Sequence, residues 1–268
     1  MTFWSGECGV AVGFDEPTLP RRSLLYGAIA LLSSASAAPA QSAAERAVPD
    51  RVNILFCGDS LAQGMFLSLN GVLRRRDGVR ATNGTLHATG VTRSDERDWP
   101  TAARELVMRH RPNLVIFWIG ANDFRPLVVR EQRIRYAFGT AGFADGYAKR
   151  VEEMVAPGIE TGARVAWFGL PNMRNAQFAD AARQLNDIQQ AAAERAGAVW
   201  IPTWDATSDA QGRFLPSVTS DRGSRLFRAD DGVHFTDWGY RRIASLFFDD
   251  VDHFFPELAP GLGRISDT

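Results

Sequence analysis

The sequence predicts an α/β protein: a parallel five-stranded sheet with helices on both faces, in a three-layer α/β/α arrangement. Three observations lead there. Five short apolar runs alternate with longer segments of helical period, the pattern of strands joined by crossover helices. Two of the runs, Val52 to Cys57 and Asn113 to Ile119, are apolar without alternation, which suits strands buried on both faces. The 268 residues are 45% hydrophobic and 23% charged, with a formal net charge of −1. That composition supports one sizeable core. It supplies neither the basic field that would attract nucleic acid nor the acidic block of a disordered tail.

The elements follow in order. Val52 to Cys57 is the first strand and ends in Gly58. Leu61 to Arg76 has helical spacing, and its final Arg74-Arg75-Arg76 reads as a solvated end that complements the helix dipole. Val79 to Leu86 is a weaker strand. Pro100 to His110 is a helix whose start is marked by Asp98 and by a proline near the first turn. Asn113 to Ile119 is the third strand, Gly146 to Glu160 a helix and Ala163 to Phe168 the fourth strand. A long Ala/Gln-rich helix, Ala176 to Ala196, leads to a short fifth strand, Ala198 to Ile201. Thr236 to Val251 is the last helix. No internal repeat or linker divides residues 52–268, which read as one domain. The connections Ala121 to Phe143 and Pro202 to His234 are longer than a compact fold requires, and such loops usually carry function or move.

Residues 1–40 read as an export signal. Arg21-Arg22 precede an apolar run, Leu24 to Leu32, and Ala35-Ser36-Ala37 and Ala38-Pro39-Ala40 both fit a small-residue cleavage site. The run is shorter than the roughly 20 residues that span a bilayer. The arginine pair resembles a twin-arginine signal. The expectation is a cleaved leader, an Ala-rich linker over 41–51, a mature chain with no stable membrane span, and a periplasmic or secreted location; an uncleaved tether is the alternative. The only cysteines are Cys8, ahead of the cut, and Cys57. This excludes a disulfide framework and a cysteine-based zinc site. His87, His110 and His253 lack metal-ligand spacing and read as structural or solvated, and Cys57 reads as a buried thiol.

Four short segments can carry chemistry. Gly58-Asp59-Ser60-Leu61 opens the first helix directly after the first strand. Glycine permits the sharp turn, and Ser60 then projects where helix N–H groups point outward. That suits a nucleophile whose attack creates an oxyanion; the same residues are equally a helix N-cap. In Asp231-Gly232-Val233-His234, residues three apart can face each other, so the carboxylate can hold the imidazole and leave its other nitrogen for a hydroxyl. An Asp-Gly surface turn explains that tetrapeptide as well. Gly120-Ala121-Asn122-Asp123 follows the third strand, where the Asn122 amide can donate to an oxyanion or form an Asx turn. Gly90 lies past the second strand, and its N–H could approach a substrate closely.

Position joins these segments. Ligands of open parallel sheets bind beyond the carboxyl ends of the strands. A flavodoxin-like order, 2-1-3-4-5, sets Ser60, Gly90 and Asn122 side by side after strands one, two and three. The fifth strand then lies about 15 Å from the first, three strand spacings away. The long excursion from Pro202 is what can return His234 to Ser60.

The ordered set Gly-Asp-Ser, Gly, Gly-x-Asn-Asp and Asp-x-x-His resembles the GDSL/SGNH hydrolase superfamily over about Val52 to Val251. Asp98–Pro100, Gly169–Arg174 and Asp231–Thr236 look like an exported bacterial subgroup of it. The resemblance implies the SGNH hydrolase fold, with Ser60 as nucleophile, His234 as base and Asp231 as its orienter. It also implies an oxyanion hole of the Ser60 and Gly90 N–H groups and the Asn122 amide, with Gly84 a competitor for the glycine. No metal or organic cofactor is implied. The expected reaction is ester hydrolysis through an acyl-enzyme, on an acylated small molecule or glycan. The expected substrate is a small acyl group such as acetyl on an envelope polysaccharide or peptidoglycan. An O-acyltransferase using the same residues and a non-catalytic envelope binding module are the alternatives. Arg125 and Arg174, just past strands three and four, are candidates for substrate contact. Trp99, Trp204 and Phe235 could stack on a sugar or close the core.

Overall fold

The computed structural model describes residues 49–129, 134–221 and 223–265. The export segment, its cleavage sites and most of the 41–51 linker lie outside the described residues.

The main sheet contains β1 (Val52–Gly58), followed by α1 (Ser60–Leu73), and β2 (Val79–Asn83), followed by α2 (Trp99–His110). Next comes β3 (Leu114–Trp118). A small hairpin, β4 (Leu127–Val129) and β5 (Ile134–Tyr136), precedes α3 (Ala141–Glu160). Then follow β6 (Arg164–Phe168), α4 (Ala176–Arg195) and β7 (Val199–Ile201). A second hairpin, β8 (Ser217–Ser220) and β9 (Gly223–Leu226), interrupts the route to α5 (Asp237–Phe248).

The five-stranded sheet has the order β2-β1-β3-β6-β7, all parallel. Counting only its own members, that is the expected order; the numbering differs because the β4–β5 hairpin intervenes. Right-handed crossovers dictate the layers. The chain steps from β1 to β2 in one direction and thereafter in the other, so α1 falls on one face and α2, α3 and α4 on the opposite one. The packing agrees: α1 lies against α5, while α2, α3 and α4 form a row. β3 is buried along its whole length, as its unalternated apolar sequence requires. The layers bury Trp118, Trp167, Phe117 and Phe168 in and beside the central strands, each such side chain contributing about 1.5–3 kcal/mol. The Trp118 indole N–H reaches the Gly169 carbonyl at 2.9 Å. Trp99 and Phe235 close the core, and Trp204 is half-buried. Cys57 is buried, and that burial pushes its thiol up to about 12. No helix of the described residues is long and apolar enough to cross a membrane.

Several boundaries depart from the sequence expectation for identifiable reasons. α3 begins at Ala141, not Gly146, because the Thr140 side chain caps it by accepting from the Phe143 amide. Gly142 and Gly146 lie inside α3, where a Cβ would strike Tyr136 and Leu127 of the first hairpin; they are places of close approach rather than helix breakers. The regular part of β2 stops at Asn83, yet Gly84 and Leu86 still donate to the Phe56 and Gly58 carbonyls at 2.8 and 2.9 Å. α1 ends at Leu73, and of the three terminal arginines Arg76 is not simply solvated. Its guanidinium binds the Gly263 and Arg264 carbonyls and ties the C-terminal segment to α1.

The turn from β1 into α1 has almost no tolerance. Gly58 has φ +138°, and a Cβ there would lie 2.1 Å from the Trp118 carbonyl oxygen of the neighbouring strand. Gly58→Ala is therefore expected to destabilise the protein by about 3 kcal/mol. Urea denaturation should read this as a lower midpoint with an unchanged slope.

Candidate active site

The rim beyond the carboxyl ends of β1, β2 and β3 is assembled from loops. Asp59 caps α1: its Oδ1 accepts from the Leu61 amide at 2.9 Å. The capping reading of Gly-Asp-Ser thus holds for the aspartate, and it leaves the neighbouring serine free to project. Ser60 is the first residue of α1 and only 8% exposed. Its N–H is among the orphan donors of a helix start.

His234 arrives from 174 residues away in sequence. Its Nε2 lies 2.7 Å from Ser60 Oγ, and its Nδ1 lies 2.6 Å from Asp231 Oδ2. The aspartate requires a proton on Nδ1, which leaves Nε2 as acceptor of the serine hydroxyl. Asp231 Oδ1 accepts from the Val233 and His234 amides at 2.8 and 2.9 Å. Partial burial pushes the Asp231 carboxyl up, but the imidazole and the two amides outweigh it and bring the carboxyl to about 2. The carboxylate is therefore ionised at neutral pH and able to stabilise a positive imidazole beside it.

The other predicted residues lie on the loops after β2, β3 and β6. The Gly84 N–H is committed to the Phe56 carbonyl, whereas that of Gly90 has no partner among the described residues. Asn122 donates from Nδ2 to the Thr89 carbonyl at 2.9 Å and so fixes the peptide unit that carries the Gly90 N–H. An amide nitrogen has two hydrogens, so one remains for another acceptor. Arg125 is exposed. Arg174 is turned to the back of the histidine turn: its Nη1 donates to the Asp230 carbonyl at 2.6 Å and its amide to the Gly232 carbonyl at 3.1 Å.

Two buried carboxylates that the sequence did not single out lock the loops together. Asp59 Oδ2 accepts from the Gly120 and Ala121 amides at 2.9 and 3.1 Å, which ties the loop after β3 to the start of α1. Asp123 accepts from the Val91 amide at 2.9 Å, the Thr92 amide at 3.0 Å and the Thr92 hydroxyl at 2.7 Å, which ties the Gly90 loop to the loop after β3. The Tyr147 hydroxyl donates to Asp123 at 2.9 Å and accepts from Gln189 at the same distance. Gln189 in turn holds the Ile119 carbonyl and the Trp167 indole. A Cβ on residue 90 would lie 2.2 Å from Asp123 Oδ1, so this position requires glycine for room alone. Arg228, also missed, binds the carbonyl side of the histidine turn. The only sequence signal for it was its place between the apolar Phe227 and the Asp-Asp-Gly turn.

Comparisons with known proteins agree with this architecture. Residues 53–250 match the family described as "Protein of unknown function (DUF459)". No curated protein sequence matches the chain. Among solved structures, the chain is similar to a GDSL-like lipase from Bacteroides thetaiotaomicron, with TM-score 0.54 and 15% identity over 78% of this chain and 93% of that one. It is similar to an acetylxylan esterase from Geobacillus stearothermophilus, solved as a catalytic mutant, with TM-score 0.52 and 16% identity over 75% and 94% of the two chains. It is also similar to an acetyl xylan esterase, AlAXEase, with TM-score 0.51 and 16% identity over 75% and 100%. At these identities the likeness is one of fold. It bears out the α/β/α architecture and the resemblance to GDSL/SGNH hydrolases at that level.

Asp59 yields a pH prediction. Burial pushes its carboxyl up to about 7, against the pull of the Leu61, Gly120 and Ala121 amides, with Asp123 adding to the rise. In the unfolded chain it ionises near 3.9. Between those values the unfolded state binds fewer protons than the folded one, so unfolding free energy falls as pH rises from about 4 to about 7. Asp59→Asn should flatten that part of the profile, measured as chemical denaturation midpoints across this range. An identical slope in the variant would contradict the assignment.

Proposed function

This chain belongs to the family described as "Protein of unknown function (DUF459)", and we propose that it is a serine ester hydrolase acting through an acyl-enzyme at Ser60. The observation that carries the reading is the continuous hydrogen-bonded chain from Ser60 Oγ through His234 to Asp231, at 2.7 and 2.6 Å. A neutral imidazole whose Nδ1–H is held by an ionised carboxylate is a base aimed at a hydroxyl.

The steps follow from that alignment. As Ser60 Oγ attacks the ester carbonyl, its proton passes to His234 Nε2, and Asp231 stabilises the imidazolium. The tetrahedral oxyanion takes hydrogen bonds from the Ser60 and Gly90 N–H groups and the second N–H of Asn122. His234 then protonates the departing alcohol. Water enters, gives a proton to His234 and attacks the acyl-enzyme, and Ser60 recovers its proton. The rigid anchoring of Gly120, Ala121, Val91 and Thr92 by buried carboxylates supports the reading. Fixed donors need no reorganisation when charge develops.

The favoured substrate is a small acyl group such as acetyl, carried on an envelope polysaccharide or peptidoglycan. Two things support it: the export signal read at Arg21-Arg22 and the following apolar run, which also favours a periplasmic or secreted location, and the acetyl xylan esterases among the similar folds. Arg125, exposed past β3, is our candidate for contact with a polar or anionic part of the substrate.

Three measurements test this. A fluorophosphonate probe should add one adduct, on the peptide containing Ser60. Ser60→Ala should abolish the adduct and lower p-nitrophenyl acetate hydrolysis at least about 1,000-fold. Asn122→Ala should lower kcat by about 100- to 1,000-fold with little change in KM. Wild-type protein that takes up no probe, with hydrolysis indifferent to Ser60→Ala, would remove the esterase reading.

A further inference from the structure

We propose that Arg228 is a positioning residue for this site: its guanidinium fork gathers the backbone carbonyls of the Asp231–His234 turn and thereby aims the imidazole at Ser60. The consequence for rate rests on the esterase reading above; the consequence for the turn does not.

Arg228 is 1% exposed. It lies between two aromatic faces, with its guanidinium carbon 4.2 Å from the Phe235 ring centroid and 4.7 Å from that of Phe214. No carboxylate pairs with it among the described residues. Burial pulls its pKa down to about 9, which leaves it a cation at neutral pH. A buried cation without a counter-ion is costly unless its N–H groups are satisfied. Here backbone carbonyls satisfy them: Asn172 at 2.6 Å from Nη1, Val233 at 2.8 Å and Gly232 at 3.5 Å from Nη2, and His234 at 3.3 Å from Nε. Three of those four acceptors belong to the four-residue segment that supplies Asp231 and His234.

The turn is thereby held from two sides. Its Val233 and His234 amides point to Asp231 Oδ1, while its Gly232, Val233 and His234 carbonyls point to Arg228. Ala229 closes the base by donating to the His234 carbonyl at 2.9 Å. Gly232, at φ +74°, supplies the conformation that lets consecutive peptide units face opposite partners. The carbonyl of Asn172 joins the same fork, so the turn is also fixed to the loop after β6. That loop is tied in turn to the long excursion, because Asn172 further holds Ser208 and Gly212. Without the guanidinium, the Asn172 and Val233 carbonyls would be left unpaired beside the aromatic rings, and the turn would rotate to expose them. The His234 ring would move with it. Lysine keeps the charge but offers three donors from one point, which cannot span carbonyls distributed around a planar fork.

Hydrogen–deuterium exchange of the full-length protein and of Arg228→Lys tests the inference without relying on turnover. In the variant, the segment Ala229–Thr236 should exchange about 10-fold faster or more, with β1 and β3 unchanged. Hydrolysis of p-nitrophenyl acetate should lose about 10- to 100-fold in kcat, with KM within about twofold of wild type. In Arg228→Ala, methylguanidinium should restore part of the rate and of the exchange protection, and methylammonium neither. Unchanged exchange in the 229–236 segment would overturn the proposal. So would faster exchange shared by β1 and β3, which would make Arg228 a general core residue. If wild-type protein hydrolyses no ester, the esterase reading fails by itself, and the exchange measurement still decides the role of Arg228.

Discussion

The site depends first on what Asp59 does with its two oxygens. One caps the helix that carries Ser60; the other draws in the amides of Gly120 and Ala121 from the neighbouring strand end. The same side chain therefore sets the direction of α1 and the path of the loop bearing Asn122. Gly58 makes this possible, because only a residue without Cβ can pass beneath the Trp118 carbonyl at that turn. Asp123 repeats the device one loop further, binding the segment after Gly90. Through these two carboxylates, three loops separated by up to 62 residues are held in one frame, and the frame is continuous with the core through Tyr147 and Gln189.

The imidazole half of the site is organised differently. It comes from the far side of the sheet on a long excursion that contains the β8–β9 hairpin, so no strand end fixes it. What fixes it is a turn whose amides and carbonyls are sorted to opposite sides, an anion for the first and a cation for the second. Arg174 adds a second grip at Asp230. The reacting groups of the two halves meet at the 2.7 Å contact between Ser60 and His234, which is why the stiffness of each matters to that distance.

Much of this was legible in the sequence, for physical reasons that also mark where legibility stops. The apolar runs at Val52 and Asn113 revealed buried parallel strands because a strand covered on both faces has no polar side to alternate. Ser60, Gly90 and Asn122 could be placed together because strand order puts their loops on one rim, and His234 could join them because the excursion from Pro202 is long enough to return it. α3 began earlier than expected because Gly142 and Gly146, poor in an isolated helix, are required by a hairpin that periodicity could not foresee. Asp59 and Asp123 read as ordinary cap and turn residues, since nothing local tells how many distant amides a carboxylate will collect. Arg228 was invisible for the same reason: its acceptors are backbone carbonyls, and backbone carries no sequence signal. Arg174 was legible as a loop arginine, but its direction, toward the turn, was set by Asp230.

Asp59, Asp123 and Arg228 are the acidic and basic side chains buried among the described residues, and they do not pair with one another. Asp59 and Arg228 are instead satisfied by peptide groups of loops at this rim, and Asp123 by two amides and two hydroxyls. Burying a charge against peptide dipoles gains little stability over an apolar residue of similar size. What it does impose is direction, because a carboxylate demands donors and a guanidinium demands acceptors, at fixed distances and angles. A core built only for stability would place leucine or phenylalanine at these positions. Charge concentrated beneath one rim, and used to orient backbone, is the distribution expected where the position of a few N–H groups matters more than the free energy of folding.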